Sequence, residues 1–188
     1  ARNPGAGFLD GGSRQSWAKP VGACGHMAII LVALGSNRCH GRHGRPAGVV
    51  RAALAALADV APVVRASPMF DTAPIGPGSR RYANAVAAID WPGSLTDLLA
   101  ALKAMERAFG RRAGQRWGDR VLDLDILAAG RVRLRAKGLV VPHPHLAARR
   151  FVLDPLVTVA PDWRHPANNL AARQLRARLL RRKGLPRT

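Results

Sequence analysis

The sequence predicts one compact domain in which strands alternate with two amphipathic helices, and three observations carry that expectation. A continuous apolar run, Met27 to Leu34, has the length and composition of a strand buried on both faces. Two later stretches, Pro46 to Ala58 and Ser94 to Gly110, repeat apolar residues at helical spacing. The run Val121 to Leu127 alternates instead, with Leu122, Leu124 and Ile126 on one side and Asp123 and Asp125 on the other. A chain of 188 residues that is 48% hydrophobic has room for one sizeable core and a short extension at each end.

The expected divisions are residues 1–26, a disordered extension of Gly, Ser, Pro and Arg without periodicity; 27–163, the folded domain; and 164–188, a basic helical tail. No apolar run approaches the roughly 18 residues of a membrane span, and residues 1–26 lack the pattern of a secretory signal. Cys24 and Cys39 form neither a disulfide framework nor a zinc pattern, so the expected setting is the reducing cytoplasm. The net charge of +19 divides as +2, +9 and +8 over the three segments. Much of the excess therefore sits in Arg173 to Arg187, and the abundance of Arg, Ala and Gly is what a GC-rich genome tends to encode.

Taken in order, the first strand ends in Gly35-Ser36-Asn37, where Gly and Asn permit a corner at which backbone approaches a ligand closely; an ordinary turn is the alternative. A basic loop, residues 38–45, carries His40 and His43, read as exposed, and Pro46 opens the first helix. Val49, Val50, Ala53, Leu54 and Leu57 give that helix one packing face. Val60 to Phe70 reads as a strand interrupted near Pro68, which favours an edge or bulge. The rigid loop Asp71 to Gly78 is a candidate substrate wall, since pre-set backbone loses little entropy on binding. Tyr82 to Ile89 is the next strand, with Asn84 the one polar residue in an apolar set. A buried amide needs partners, which a planar heterocycle or neighbouring backbone would supply. Ser94 and Asp97 resemble a capping box, Leu95, Leu98, Leu99, Leu102, Met105 and Phe109 form a core stripe, and Gly110 ends the second helix. Glu106 lies one turn before that end, placed for a helix-face salt bridge or for a nucleotide. Beyond Gly130, the prolines around His143 and His145 hold that segment extended, Phe151 to Leu156 returns to the core, and residues 170–183 form a last helix.

The stretch Gly110 to Leu127 concentrates the chemistry. Arg111, Arg112, Arg116, Arg120 and Trp117 precede Asp123 and Asp125, which share a face of their strand. Adjacent carboxylates repel unless a cation lies between them. Oxygen ligands favour Mg²⁺, which is usually held by one or two carboxylates together with substrate phosphates. Arginine forks match phosphate oxygens and keep their charge when partly buried. The plainer alternative is an edge strand with a solvated acidic face beside a basic loop.

Several of these motifs, in register from Met27 to about Pro161, resemble the hydroxymethyldihydropterin pyrophosphokinase family. They are Ala33-Leu34-Gly35-Ser36-Asn37, Thr72-Ala73-Pro74-Ile75-Gly76, Tyr82-Ala83-Asn84, Gly110-Arg111, Arg116-Trp117-Gly118-Asp119-Arg120, Asp123-Leu124-Asp125 and Pro142-His143. The resemblance implies an α+β fold, a ferredoxin-like sandwich with an antiparallel sheet, helices on one side and three mobile loops over the site. It implies transfer of pyrophosphate from ATP to 6-hydroxymethyl-7,8-dihydropterin in folate synthesis, by a monomer acting on small molecules with no membrane or nucleic-acid partner. Asp123 and Asp125 are similar to the residues that bridge two Mg²⁺ ions, Arg111 and Arg120 to loop arginines that stabilise charge on the transferred group, and Asp123 is the best-placed proton acceptor. Gly35, Thr72, Pro74, Ile75, Tyr82, Asn84, Trp117 and Phe151 correspond to the pterin pocket. Glu106, Arg112, Trp117, Arg120, Ile126, His143 and Arg149 correspond to the ATP site. Ala113 stands where the family often has a loop arginine, leaving Arg112 as its neighbour, and Asp119 replaces a usual proline. The competing readings are a basic nucleic-acid-binding protein and a pyrophosphokinase fold that serves only as an interaction partner.

Overall fold

The computed structural model describes residues 28–73, 80–111 and 120–182. β1 (Ala28–Ser36) is followed by α1 (Pro46–Val60), the short strands β2 (Val63–Ala66) and β3 (Phe70–Thr72), β4 (Tyr82–Trp91), α2 (Leu95–Ala108) and β5 (Asp123–Ala129). A hairpin of β6 (Leu134–Ala136) and β7 (Leu139–Val141) leads on to α3 (Arg150–Val159) and α4 (Ala172–Arg182). The main sheet is antiparallel and runs β2-β4-β1-β5, with β3 also paired to β4. Counted as one strand broken at Pro68, β2 and β3 give the β-α-β-β-α-β order of a ferredoxin-like sandwich.

Local chemistry explains the boundaries that matter. Pro46 occupies the first helical turn of α1, where its missing N–H leaves no bond unmade. Ser94 caps α2, its hydroxyl accepting the Asp97 amide at 3.1 Å, and Gly110 ends the helix region in a left-handed conformation at φ +85°. The break between β2 and β3 is held by Ser67, whose amide donates to Val86 O while its hydroxyl accepts the Val86 amide at 3.0 Å.

Strand periodicity divides the core in two. Ile30, Val32 and Leu34 of β1, with Leu124 and Ile126 of β5 and the preceding Leu122, pack against α1 and α2. Leu31, Val86, Ala88 and Leu127 face the other way and pack against α3 and α4. The expectation of helices on one side is therefore corrected: the sheet is covered on both. Phe151 to Leu156, expected only as an apolar return to the core, is most of α3. Residues 164–182, expected as part of a tail, are built into the fold, because Leu175 and Leu179 of α4 close the second core cluster. Trp163, 1% exposed, fastens the connection to α4 by donating its indole N–H to Gly130 O at 2.7 Å. The two loop histidines are also not simply exposed: His40 and His43 stack at 4.8 Å, and His43 lies 5.1 Å from the Phe109 ring. Among the described residues no helix is long and apolar enough to cross a membrane.

Candidate active site

On the α3 side the sheet is covered at one end and open at the other. Along β1 the residues facing that side shrink from Leu31 to Ala33 to Gly35, leaving a cavity of about 250 Å³. Gly35, Tyr82, Asn84, Asp123, Asp125 and Leu127 contribute from the strands; Thr72, Arg120, His143, Arg149, Phe151 and Val152 contribute from the surrounding elements. A Cβ on Gly35 would stand 3.3 Å from Asn84 Oδ1, tighter than ordinary contact, so glycine gives the amide its room. Asn84 is buried and donates to Thr72 Oγ1 at 2.8 Å, which orients its amide at the cavity.

Asp123 and Asp125 enter the cavity from alternate positions of β5, while Leu122, Leu124 and Ile126 anchor the opposite face. Asp123 Oδ1 accepts from Arg120 at 2.5 Å and from Arg111 at 3.3 Å. Asp125 accepts no hydrogen bond from the described residues. Burial opposes the charge on Arg120, yet Asp123, with Asp125 and Glu106 behind it, outweighs that cost and raises its pKa further. Arg120 is itself held in place: its amide donates to Asn37 Oδ1 at 2.7 Å, and the Asn37 amide returns a bond to Arg120 O at 3.2 Å.

Glu106 is 0% exposed. A buried carboxylate is tolerable only with partners, and here Lys103 donates at 2.7 Å, the Leu124 amide at 2.8 Å, and Arg111 bonds the second oxygen. Glu106 thus ties α2 to β5 and fixes Arg111 beside Asp123. It does not line the cavity, and neither does Ile126, which the period of two turns into the core on the α1 and α2 side. The structure does not bring these two expected ATP contacts into the open site.

His143 follows β7 after the single residue Pro142 and lines the cavity. Its Nδ1 accepts the His145 amide at 3.2 Å, which leaves Nε2 as the donor of the neutral ring. Burial lowers the His143 pKa; Asp125 and Asp123 oppose the shift, and Arg149 and His145 reinforce it. The Arg149 guanidinium lies 5.6 Å from the centre of the Phe151 ring, a cation–π contact at the rim. Pro74, Ile75, Arg112 and Trp117 lie outside the described residues. Every other expected pterin residue, together with Arg120, Asp123, Asp125, His143 and Arg149, converges on this one cavity.

The family model for 7,8-dihydro-6-hydroxymethylpterin-pyrophosphokinase (HPPK) matches residues 31–161. The 2-amino-4-hydroxy-6-hydroxymethyldihydropteridine pyrophosphokinase of Pseudomonas aeruginosa is 44% identical over 140 residues, covering 73% of this chain and 83% of that protein. The chain belongs to this pyrophosphokinase family. The enzyme of the same name from Haemophilus influenzae is 36% identical over 139 residues, covering 72% of this chain and 84% of that protein. A crystal structure of Plasmodium falciparum HPPK-DHPS with pterin and p-hydrobenzoate superposes with a TM-score of 0.66 at 13% identity, over 87% of this chain and 46% of that one. The chain spans less than half of that larger protein, and at this identity the likeness concerns the fold.

Sequence reasoning missed Lys103, which donates to Glu106 and, at 3.2 Å, to Leu124 O. The available signal was its position three residues before Glu106 on one helix face. It also missed Val152, whose place in the wall depends on α3 being helical.

Proposed function

We propose that the chain transfers the pyrophosphoryl group of ATP to the hydroxymethyl oxygen of 6-hydroxymethyl-7,8-dihydropterin in folate synthesis. The oxygen–β-phosphorus bond forms, the bond from the β-phosphorus to the α-phosphate oxygen breaks, and AMP leaves. The observation that carries this reading is the joining, in one cavity, of a small amide-and-aromatic pocket to a cluster of arginines and carboxylates. Family membership gives those two halves their chemistry.

In the pocket, Asn84 and Thr72 offer polar groups to the edge of a planar heterocycle, and Tyr82 and Phe151 pack its apolar surface; family resemblance assigns Pro74, Ile75 and Trp117 to the same substrate. Gly35 keeps the floor thin enough for the ring to lie against Asn84. On the other side Arg120, His143 and Arg149 face the triphosphate, to which family resemblance also assigns Arg112. Arg111, held by Glu106, meets charge developing on the transferred group without having to reorganise.

The donor set suits Mg²⁺. Asp123 and Asp125 present carboxylates to the cavity, Asp125 accepts no hydrogen bond from the described residues, and these residues hold no cluster of three or more His, Cys, Asp or Glu that would form a complete protein cage. Such a site leaves positions for water and phosphate oxygens, as Mg²⁺ prefers, and two ions are expected there. Bound Mg²⁺ supplies charge neutralisation to the triphosphate. Asp123 is also the residue assigned to take the hydroxyl proton, its Oδ1 already engaged by arginines and Oδ2 left for that purpose. The reading carries with it a monomer acting on small molecules in the cytoplasm.

The test is incubation of the protein with ATP, Mg²⁺ and hydroxymethyldihydropterin. AMP should appear only when pterin and metal are both present. Release of ADP, or no product from a protein that binds both substrates, would overturn the assignment.

A further inference from the structure

The β6–β7 hairpin carries a second charged feature that the pyrophosphokinase reading does not use. From Arg131 to Lys137 the chain reads Arg-Val-Arg-Leu-Arg-Ala-Lys. Val132, Leu134 and Ala136 pack against the core on the α1 and α2 side, while Arg131, Arg133, Arg135 and Lys137 are all exposed. The alternation therefore exposes Arg133, just before β6, and Arg135, in its middle, on one side about 7 Å apart, while Arg131 and Lys137 lie in the turns at either end. None of the four lines the substrate cavity.

Two further observations separate this stripe from ordinary surface charge. Among the described residues none of its members has a carboxylate partner, and the neighbouring loop before α4 adds another cation: Arg131 donates to Asn169 Oδ1 at 3.2 Å and Arg164 to Asn169 O at 2.9 Å. Arg133 is also close enough to His165 to add to the effect of burial in lowering its pKa, as an uncompensated positive surface would. Second, β6 pairs only with β7, and no other strand among the described residues lies along its second edge. Cations on an edge strand discourage self-pairing, and the same arrangement selects for a strand of opposite charge.

We infer that the free edge of β6 takes an acidic, extended polypeptide segment of a partner protein as an added strand, with Arg133 and Arg135 facing carboxylates at alternate positions and Lys137 adding charge from the hairpin turn. An added strand has the same two-residue period as β6, so alternate Asp or Glu residues fall opposite the cations on the same face. A second copy of this chain is unsuitable, since each carries a net charge of +19. A nucleic-acid strand is less well matched, because base stacking needs exposed aromatic faces and Trp163, the aromatic in contact with His165, is buried.

The test uses the full chain and labelled peptides alternating Glu with Thr, compared with an isomeric peptide in which the Glu residues are blocked together. Binding is followed by fluorescence anisotropy, beside an oligothymidylate of equal charge. The alternating peptide should bind best, and Arg133→Glu with Arg135→Glu should weaken it by at least about tenfold, equivalent to about 1.4 kcal/mol. Pyrophosphokinase activity should be unchanged in that variant, which also certifies its fold. Charge reversal of Arg178 and Arg182 on α4 should leave peptide affinity within about twofold. The inference is overturned if the blocked peptide or the oligothymidylate binds as tightly as the alternating one, if the α4 reversal is equally damaging, or if the alternating peptide does not bind.

Discussion

The two faces of the sheet are built from the same strands and differ in the size and charge of the side chains they present. Towards α1 and α2, β1 presents Ile30, Val32 and Leu34 and the β5 region presents Leu122, Leu124 and Ile126, all at most 3% exposed. Towards α3 and α4 the same strands present Leu31, Ala33 and Gly35, and Leu127, Asp125 and Asp123. One face is closed along its length. The other is closed only where Leu31, Val86 and Leu127 meet α3, and opens where the side chains become small or charged. A cavity can thus be made in a rigid sheet without altering the backbone, provided the opposite face supplies the stability. Glu106 links the two, because its buried carboxylate accepts from the Leu124 amide and from Arg111, which also bonds Asp123 on the open face.

The sharpest way to separate the faces is to substitute neighbours on β5. Asp123→Ala should lower the rate of AMP formation by at least about a hundredfold, the scale of losing a preorganised charge in an active site, with the thermal midpoint little changed. Leu124→Ala should do the reverse, costing about 2–5 kcal/mol in urea unfolding while folded protein keeps most of its turnover. Equal effects on both properties from either change would break the comparison. Next in size is Gly35→Ala. The added Cβ presses on Asn84 Oδ1, so KM for the pterin should rise by about tenfold with KM for ATP nearly constant. The smallest effect expected is at His165, beside Trp163 at the closed end of the second face. Its pKa is lowered in the fold by burial and by Arg133, so the unfolded chain binds the proton more readily. Stability from this group is complete above the ordinary imidazole value of about 6.5 and declines as pH falls below it towards the lowered folded value. His165→Asn should flatten that part of the urea-midpoint profile.

Much of this was legible in the residues. The alternation in Leu122 to Ile126 placed both aspartates on one face, and the capping residues and apolar spacing gave α1 and α2. The second helical layer was not legible. Pro155 interrupts the apolar run of α3 and removes a backbone donor, which hides the helix from pattern reading. In α4 the arginines dominate the composition, although Leu175 and Leu179 keep a one-turn spacing and are buried. Glu106 was legible as a charge near the arginines but not as a buried joint, because burial depends on β5 closing over α2. The expected ATP contact at Ile126 rested on resemblance and that at Glu106 on its position before Gly110 as well, and neither side chain lines the cavity.

The proposed chemistry turns on Asp123 and Asp125 holding ATP through Mg²⁺ on the open face. The most direct measurement is ATP affinity by titration calorimetry, with and without Mg²⁺, for the native chain and for Asp125→Asn. Mg²⁺ should tighten ATP binding in the native chain by at least about tenfold and have little effect in the variant, whose metal-free affinity stays close to native. An equal gain from Mg²⁺ in both proteins would contradict a metal site on the open face.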